Sequence, residues 1–154
     1  SPREILSRVD FGTILFFLGM FITVEGVWRS QVLSPLLLAV NQGDVTETFG
    51  LLKLAAISLT MSQLISNVPF AKLAIQQLRE TGGTGQDVDV WLTLATSSTL
   101  AGNLTILGAA SNVIVLEVLE SRYGRTISYL RFAKVGLLVT AVSLTVYMPF
   151  LLFL

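Results

Sequence analysis

Residues 97–112 read Ser-Ser-Thr-Leu-Ala-Gly-Asn-Leu-Thr-Ile-Leu-Gly-Ala-Ala-Ser-Asn, and they lie inside a run from 90 to 116 that carries no charge. A second uncharged run, 54–71, is interrupted in the same manner by Ser62-Gln63-Leu64-Ile65-Ser66-Asn67-Val68-Pro69. A backbone N–H or C=O left unpaired in hydrocarbon costs several kcal/mol. Helix-breaking sequence at membrane depth is therefore tolerated mainly where it lines a protein-enclosed, hydrated cavity, and membrane carriers build solute sites at such breaks.

The rest of the chain supports a membrane setting. Residues 135–154 and 11–24 are also free of charge. Two of the four runs reach the roughly 20 residues a spanning helix needs, and the other two come close. Only 13% of the chain is charged and 53% is hydrophobic, against about 25% charged in soluble domains. None of the runs shows the polar face of a soluble amphipathic helix. These features predict an all-α membrane protein of several spans. With a net charge of zero and scattered basic residues, no nucleic-acid surface is expected. The chain has no Cys and no His, which removes disulfides, thiolate metal sites and His-based hydrolytic chemistry. No Asp lies mid-span, so an intramembrane protease is not expected either. Four membrane elements are few for an enclosed pathway. The expectation is a single module, the C-terminal half of a longer transporter.

Five segments follow. Residues 1–50 hold a first span and a short interfacial helix over Val32–Val40, a run too short to cross. Gly12, Gly19 and Gly26 recur every seven residues in that span, a stripe suited to close helix packing. Residues 51–79 either cross once, at about 43 Å of helix, or turn back at 66–69 as a re-entrant hairpin. The charges favour the hairpin. Arg3 and Arg8 precede the first span, and Arg122, Arg125, Arg131 and Lys134 lie in 118–134. A hairpin puts both basic groups on the cytoplasmic side, as the positive-inside rule requires. It leaves 41–50 and 80–89, which carry Asp44, Glu47, Glu80, Asp87 and Asp89 and no basic residue, outside. Residues 80–89 then form an outer loop, 90–117 a broken transmembrane helix, and 118–154 a cytoplasmic loop and final span. Gly82-Gly83-Thr84-Gly85 lacks the Lys-Ser/Thr of a phosphate cradle and reads as plain loop.

The stretch from Ser98 to Val115, taken with the Ser66-Asn67-Val68-Pro69 tip and the opening Asp10-Phe11-Gly12-Thr13-Ile14-Leu15-Phe16-Phe17, resembles the ion-transporter superfamily. That group includes arsenite permeases, citrate and divalent-anion symporters, and a branch of sodium/proton antiporters. The order of span, interfacial helix, hairpin, broken helix and final helix is similar to the second of the family's two inverted repeats. The resemblance implies an elevator-like carrier, usually a homodimer, in the cell membrane, with solute held between two hairpin tips and two broken helices. One of each is present here, so an N-terminal half of the same protein is the implied partner. Matching positions are Ser66, Asn67 and Val68 at the tip, and Gly102, Asn103, Thr105, Gly108, Ser111 and Asn112 in the break. The tip reads Ser-Asn-Val where the divalent-anion branch shows Ser-Asn-Thr. The Gly-Asn-x-Thr-x-x-Gly-Ala pattern looks closer to arsenite-permease-like proteins. A small inorganic anion or oxyanion-like solute such as arsenite is therefore expected ahead of citrate or a dicarboxylate.

The residue types suit that chemistry. Carbonyls freed at an unwound helix suit a hard cation such as Na⁺, with Ser66, Asn67, Gly102 and Asn103 as its candidate ligands, and N–H groups at half-helix starts suit an anion. Gly102 and Gly108 permit the required backbone. Asn103, Ser111 and Asn112 offer neutral donors and acceptors without the desolvation cost of a charge. The competing reading makes these residues helix–helix glue. Ser97, Ser98 and Thr99 either extend the site or bond back to the i−4 carbonyl. Glu25 is a candidate proton relay, with an interfacial pair to Arg29 as the alternative; a relay would favour a Na⁺/H⁺ antiporter. Lys53 and Lys72 flank the tip segment and are expected to snorkel. Na⁺ or H⁺ is the only coupling species expected, with no other cofactor. A structural membrane subunit is the reading outside transport.

Overall fold

A computed structural model of the chain describes residues 11–32, 34–35, 48–80 and 87–152. The chain divides into two compact units, Ser1–Val32 and Leu33–Leu154. Most of the interfacial helix expected over 32–40, the loop residues 81–86 and Asp10 lie outside the described residues. All the described regular elements are helical.

The first unit is one helix, α1, Phe11–Ser30. Leucine, phenylalanine and isoleucine side chains are exposed along it, among them Leu15, Phe16, Leu18 and Ile22. Such a surface is disfavoured in water and suited to hydrocarbon. Its polar side chains serve their own helix. Thr23 Oγ1 donates to the Gly19 carbonyl at 2.8 Å, and Arg29 Nε meets Glu25 Oε1 at 3.0 Å.

The second unit begins with α2, Thr48–Ile65, and α3, Asn67–Glu80, separated by Ser66 alone. Ser66 holds φ at +68°, the left-handed region where a non-glycine residue reverses the chain at a cost. Pro69 falls in the first turn of α3, where its missing N–H loses no helical bond. The reversal is therefore shorter than 66–69. Helices α2 and α3 pack on α4, Val88–Ala101, around Leu51, Leu54, Phe70, Ala74, Leu78, Val90 and Leu94. A second set of buried residues is small and hydroxylated: Ser58 and Ser62 on α2, Thr93 and Ser97 on α4. Small side chains let helix backbones approach closely where lipid supplies no hydrophobic drive.

After Ala101 the helix unwinds. The chain passes through a 3₁₀ turn at Ile106–Gly108 and resumes as α5, Ala110–Tyr123. Gly124, at φ +60°, closes α5 by donating its N–H to the Glu120 carbonyl at 2.9 Å, the usual left-handed glycine stop. The last helix, α6, runs Tyr129–Leu152, with Pro149 near its end. Among the described residues α1, α2 and α6 are long and apolar enough to cross a membrane.

Helix α6 fixes the height of the break. Thr140, 2% exposed, donates from Oγ1 to the Leu100 carbonyl at 3.3 Å. Gly136 lies against the Asn103 and Leu104 carbonyls. At 1.5 Å per residue Gly136 is about 10 Å and Thr140 about 16 Å from the start of a helix about 36 Å long. The interruption thus lies alongside the first half of α6, well inside its ends.

Candidate functional site

Unwinding after Ala101 releases carbonyls that a continuous helix would satisfy, so each needs another donor. Tight turns supply some: Gly102 N–H to Thr99 O at 3.1 Å, Asn103 N–H to Leu100 O at 3.0 Å, and Leu104 N–H to Ala101 O at 3.1 Å. Side-chain amides supply the rest. Asn112 Nδ2 donates to Gly102 O at 2.7 Å and to Thr105 O at 3.2 Å. Gln63, on α2, donates from Nε2 to Ala101 O at 2.9 Å and to Leu59 O at 3.0 Å. Its Oε1 accepts the Thr105 hydroxyl at 2.7 Å.

The tip of the α2–α3 turn meets the same place. A Cβ added to Gly102 would meet Asn67 Nδ2 at 3.6 Å and the Ala109 Cβ at 3.1 Å. A Cβ on Gly108 would strike the Ala101 carbonyl oxygen and meet Gln63 Oε1 at 3.0 Å. Gly108 is closed to a larger residue by backbone, and Gly102 is tight enough that a neighbour would have to give. The Asn67 side-chain Oδ1 accepts its neighbour's N–H, from Val68, at 2.9 Å.

Seven of the nine positions picked from sequence fall around this junction, and two do not share its contacts. Ser66, Asn67, Gly102, Thr105, Gly108 and Asn112 form or adjoin it, and Asn103 borders it with an exposed side chain. Val68 is 44% exposed and Ser111 is exposed at the start of α5. Glu25 is in the separate first unit, paired with Arg29. Ser97, Ser98 and Thr99 turn back on their own helix, to Thr93 O at 2.6 Å, Ala95 O at 3.3 Å and Ala95 O at 2.7 Å.

Gln63 was not singled out from sequence. The available signal was a long amide in an otherwise uncharged run, which an unsatisfied carbonyl elsewhere would explain. Buried hydroxyls without a hydrogen-bond partner also cluster on these helices: Ser62 Oγ, Ser66 Oγ and Thr93 Oγ1. Among the residues named here as holding the break, no side chain is charged. The set can bind by neutral hydrogen bonds, freed carbonyls and the first-turn N–H groups of α3 and α5, the latter having no capping side chain.

A cavity of about 680 Å³ opens on the opposite side of the break. It is lined by Asn103, by Thr126 and Ser128 of the preceding loop, and by Arg131, Val135 and Val139 of α6, among others.

The family model described as citrate transporter matches residues 1–101. An uncharacterized transporter of Mycobacterium bovis is 33% identical over 151 residues, covering 94% of this chain and 34% of the relative. A silicon efflux transporter of Oryza sativa subsp. japonica is 35% identical over 124 residues, 73% of this chain and 24% of that protein. The P protein of Mus musculus is 29% identical over 161 residues, 96% of this chain and 19% of its own length. No solved structure matches. The chain spans about a third of the length of the first curated relatives it matches. The family description and the mycobacterial and rice names are of transporters rather than enzymes, and with three apolar helices among the described residues they identify a multi-pass membrane protein. The chain belongs to the citrate transporter family.

Proposed function

We infer that this chain is one half of a secondary carrier, and not an enzyme, that moves a small inorganic anion or oxyanion-like solute such as arsenite. The observation that carries this reading is the convergence of Gln63 and Asn112 on the carbonyls released between Ala101 and Thr105, with the Asn67 amide beside Gly102. A neutral, hydrogen-bonding site at a chain interruption can hold a hydroxylated or oxyanionic solute and release it, because no buried charge has to be neutralised. Ser66, Asn67, Gly102, Asn103, Thr105, Gly108 and Asn112 form this half's contribution, with Val68 and Ser111 as their exposed neighbours in sequence. The N-terminal half of the protein supplies the rest, in a homodimer in the cell membrane. The silicon named for the rice relative is, like arsenite, carried in water as a small hydroxylated species, which supports this solute class. Citrate, named by the family description, is the competing solute.

Coupling is to Na⁺ or H⁺. Ser66, Asn67, Gly102 and Asn103 offer Na⁺ hydroxyl, amide and carbonyl oxygens of the type it prefers. Uptake of arsenite, silicic acid and citrate by the complete protein, with and without Na⁺, tests both points. The expected result is arsenite or silicic acid transport that Asn103→Leu abolishes while membrane insertion stays normal. Citrate transport alone, or uptake unchanged in the variant, would overturn the reading.

A further inference from the structure

The cavity on the α6 side of the break has a composition that the hydrogen-bonded junction does not explain. Its volume, about 680 Å³, would hold some twenty waters at ~30 Å³ each, far more than a small oxyanion needs. It is too large to be a fitted pocket for such a solute. From the break it is lined by Asn103, whose side chain is exposed, and not by Gln63 or Asn67. The side walls are apolar, Ile127, Phe132, Val135 and Val139, with hydroxyls from Thr126 and Ser128. The only charge among the lining residues is Arg131. Arg131 makes no ion pair with any described residue.

A cation on the wall of a low-dielectric channel concentrates anions there and depletes cations. We propose that this cavity is the route by which solute reaches the break from the basic-loop side, and that Arg131 biases it towards anionic over cationic species. The inference rests on the break being a solute site and adds the sign of charge that the approach favours. Arg131 lies two turns of α6 before Val139 and shares the lining with Asn103, whereas Gln63 and Asn112 are not among the lining residues. Its removal should change how often an anion arrives and leave the junction at Gln63 and Asn112 intact.

The chain has no cysteine, which permits a test independent of transport. In the full-length protein, with any cysteines elsewhere replaced, Asn103→Cys is reacted in open membranes at low salt with three methanethiosulfonates: a sulfonate, a trimethylammonium and a neutral one. A unit charge about 7 Å away through water changes local ion concentration about three-fold. With Arg131 present, the sulfonate should react about three-fold faster than in an Arg131→Gln background, and the trimethylammonium about three-fold slower. The neutral reagent should be unchanged, Arg131→Lys should behave as Arg131, and added salt should erase the difference. Val139→Cys repeats the measurement at a second depth should Asn103→Cys fold poorly. Equal rates for both charged reagents in the Arg and Gln backgrounds would overturn the assignment of Arg131. Failure of all three water-soluble reagents at both positions would overturn the route, as for a groove filled by lipid or protein. Opposed reagent effects in a protein that transports nothing would keep the route and remove the transport reading alone.

Discussion

Gln63 Nε2 and the Ala101 carbonyl oxygen are 2.9 Å apart across 38 residues of sequence. One side chain of α2 thereby replaces the helical N–H that the unwinding of α4 took away. The same amide accepts from Thr105 at 2.7 Å, so both of its ends are committed to the break.

Gln63→Leu leaves the Thr105 hydroxyl without its acceptor, at about 1–3 kcal/mol for a buried group left unsatisfied, and the Ala101 carbonyl with the Leu104 N–H alone. Uptake should fall at least ten-fold, with a lower melting temperature in detergent. Gln63→Glu keeps the length and the acceptor but loses the donor and sets a charge against a carbonyl, so it should be worse than Leu. Full uptake in Gln63→Glu would remove the residue from the machinery.

Asn112 gives a matched pair of substitutions. Its Nδ2 serves Gly102 O and Thr105 O, a task that requires a donor. Asn112→Asp, isosteric but without that donor, should abolish uptake as completely as Asn112→Leu, while both variants reach the membrane in normal amount. Rescue by Asp would show that only shape matters there.

Ser66 should separate stability from binding. Its φ of +68° costs a non-glycine residue about 1–2 kcal/mol, and its buried Oγ has no partner. Ser66→Gly should therefore raise the melting temperature and at the same time raise KM several-fold, if the hydroxyl serves solute or coupling ion. A gain in both stability and affinity would assign the hydroxyl no role.

Gly136→Ala drives a methyl into the Asn103 carbonyl, with the Asn103 carbonyl carbon at 2.9 Å and Leu104 O at 3.0 Å. All of these are backbone atoms of the break, so the break must shift and uptake should drop sharply. Gly124→Ala is the control. It incurs left-handed strain of about 1–2 kcal/mol in open space, and should cost stability without changing transport.

Glu25→Gln tests the antiporter alternative. The carboxylate is paired with Arg29 at 3.0 Å in a largely exposed i,i+4 bridge, worth under about 1 kcal/mol. Solute uptake and stability should be nearly unchanged. Loss of a pH-dependent Na⁺ efflux in this variant would instead assign Glu25 the proton relay.

What could be read from the residues depended on how local the physics was. The interruption at Gly102–Ala109 was legible because Gly, Asn, Thr and Ser gather inside an uncharged run, and each weakens a helix in its own neighbourhood. The reversal at Ser66 was legible through Pro69, although proline entered the following helix and left the turn one residue long. Gln63, Gly136 and Thr140 were not legible, because their partners lie about 30 to 40 residues away and are backbone carbonyls, which every residue possesses. A sequence reports which residues can break a helix more readily than which will repair the break. The Arg131 cavity has the same limitation. A basic residue near a helix start usually marks sidedness, and only the fold brings it beside Asn103.

Gly136 meets the interruption from α6, Thr140 ties the helical turn just before it to the same helix, and Gln63 ties it to α2. Anchored to two helices, the unwound stretch cannot slide or rewind alone without surrendering contacts to both neighbours together. Helix α2, the interruption and the final helix are thereby coupled mechanically as one piece.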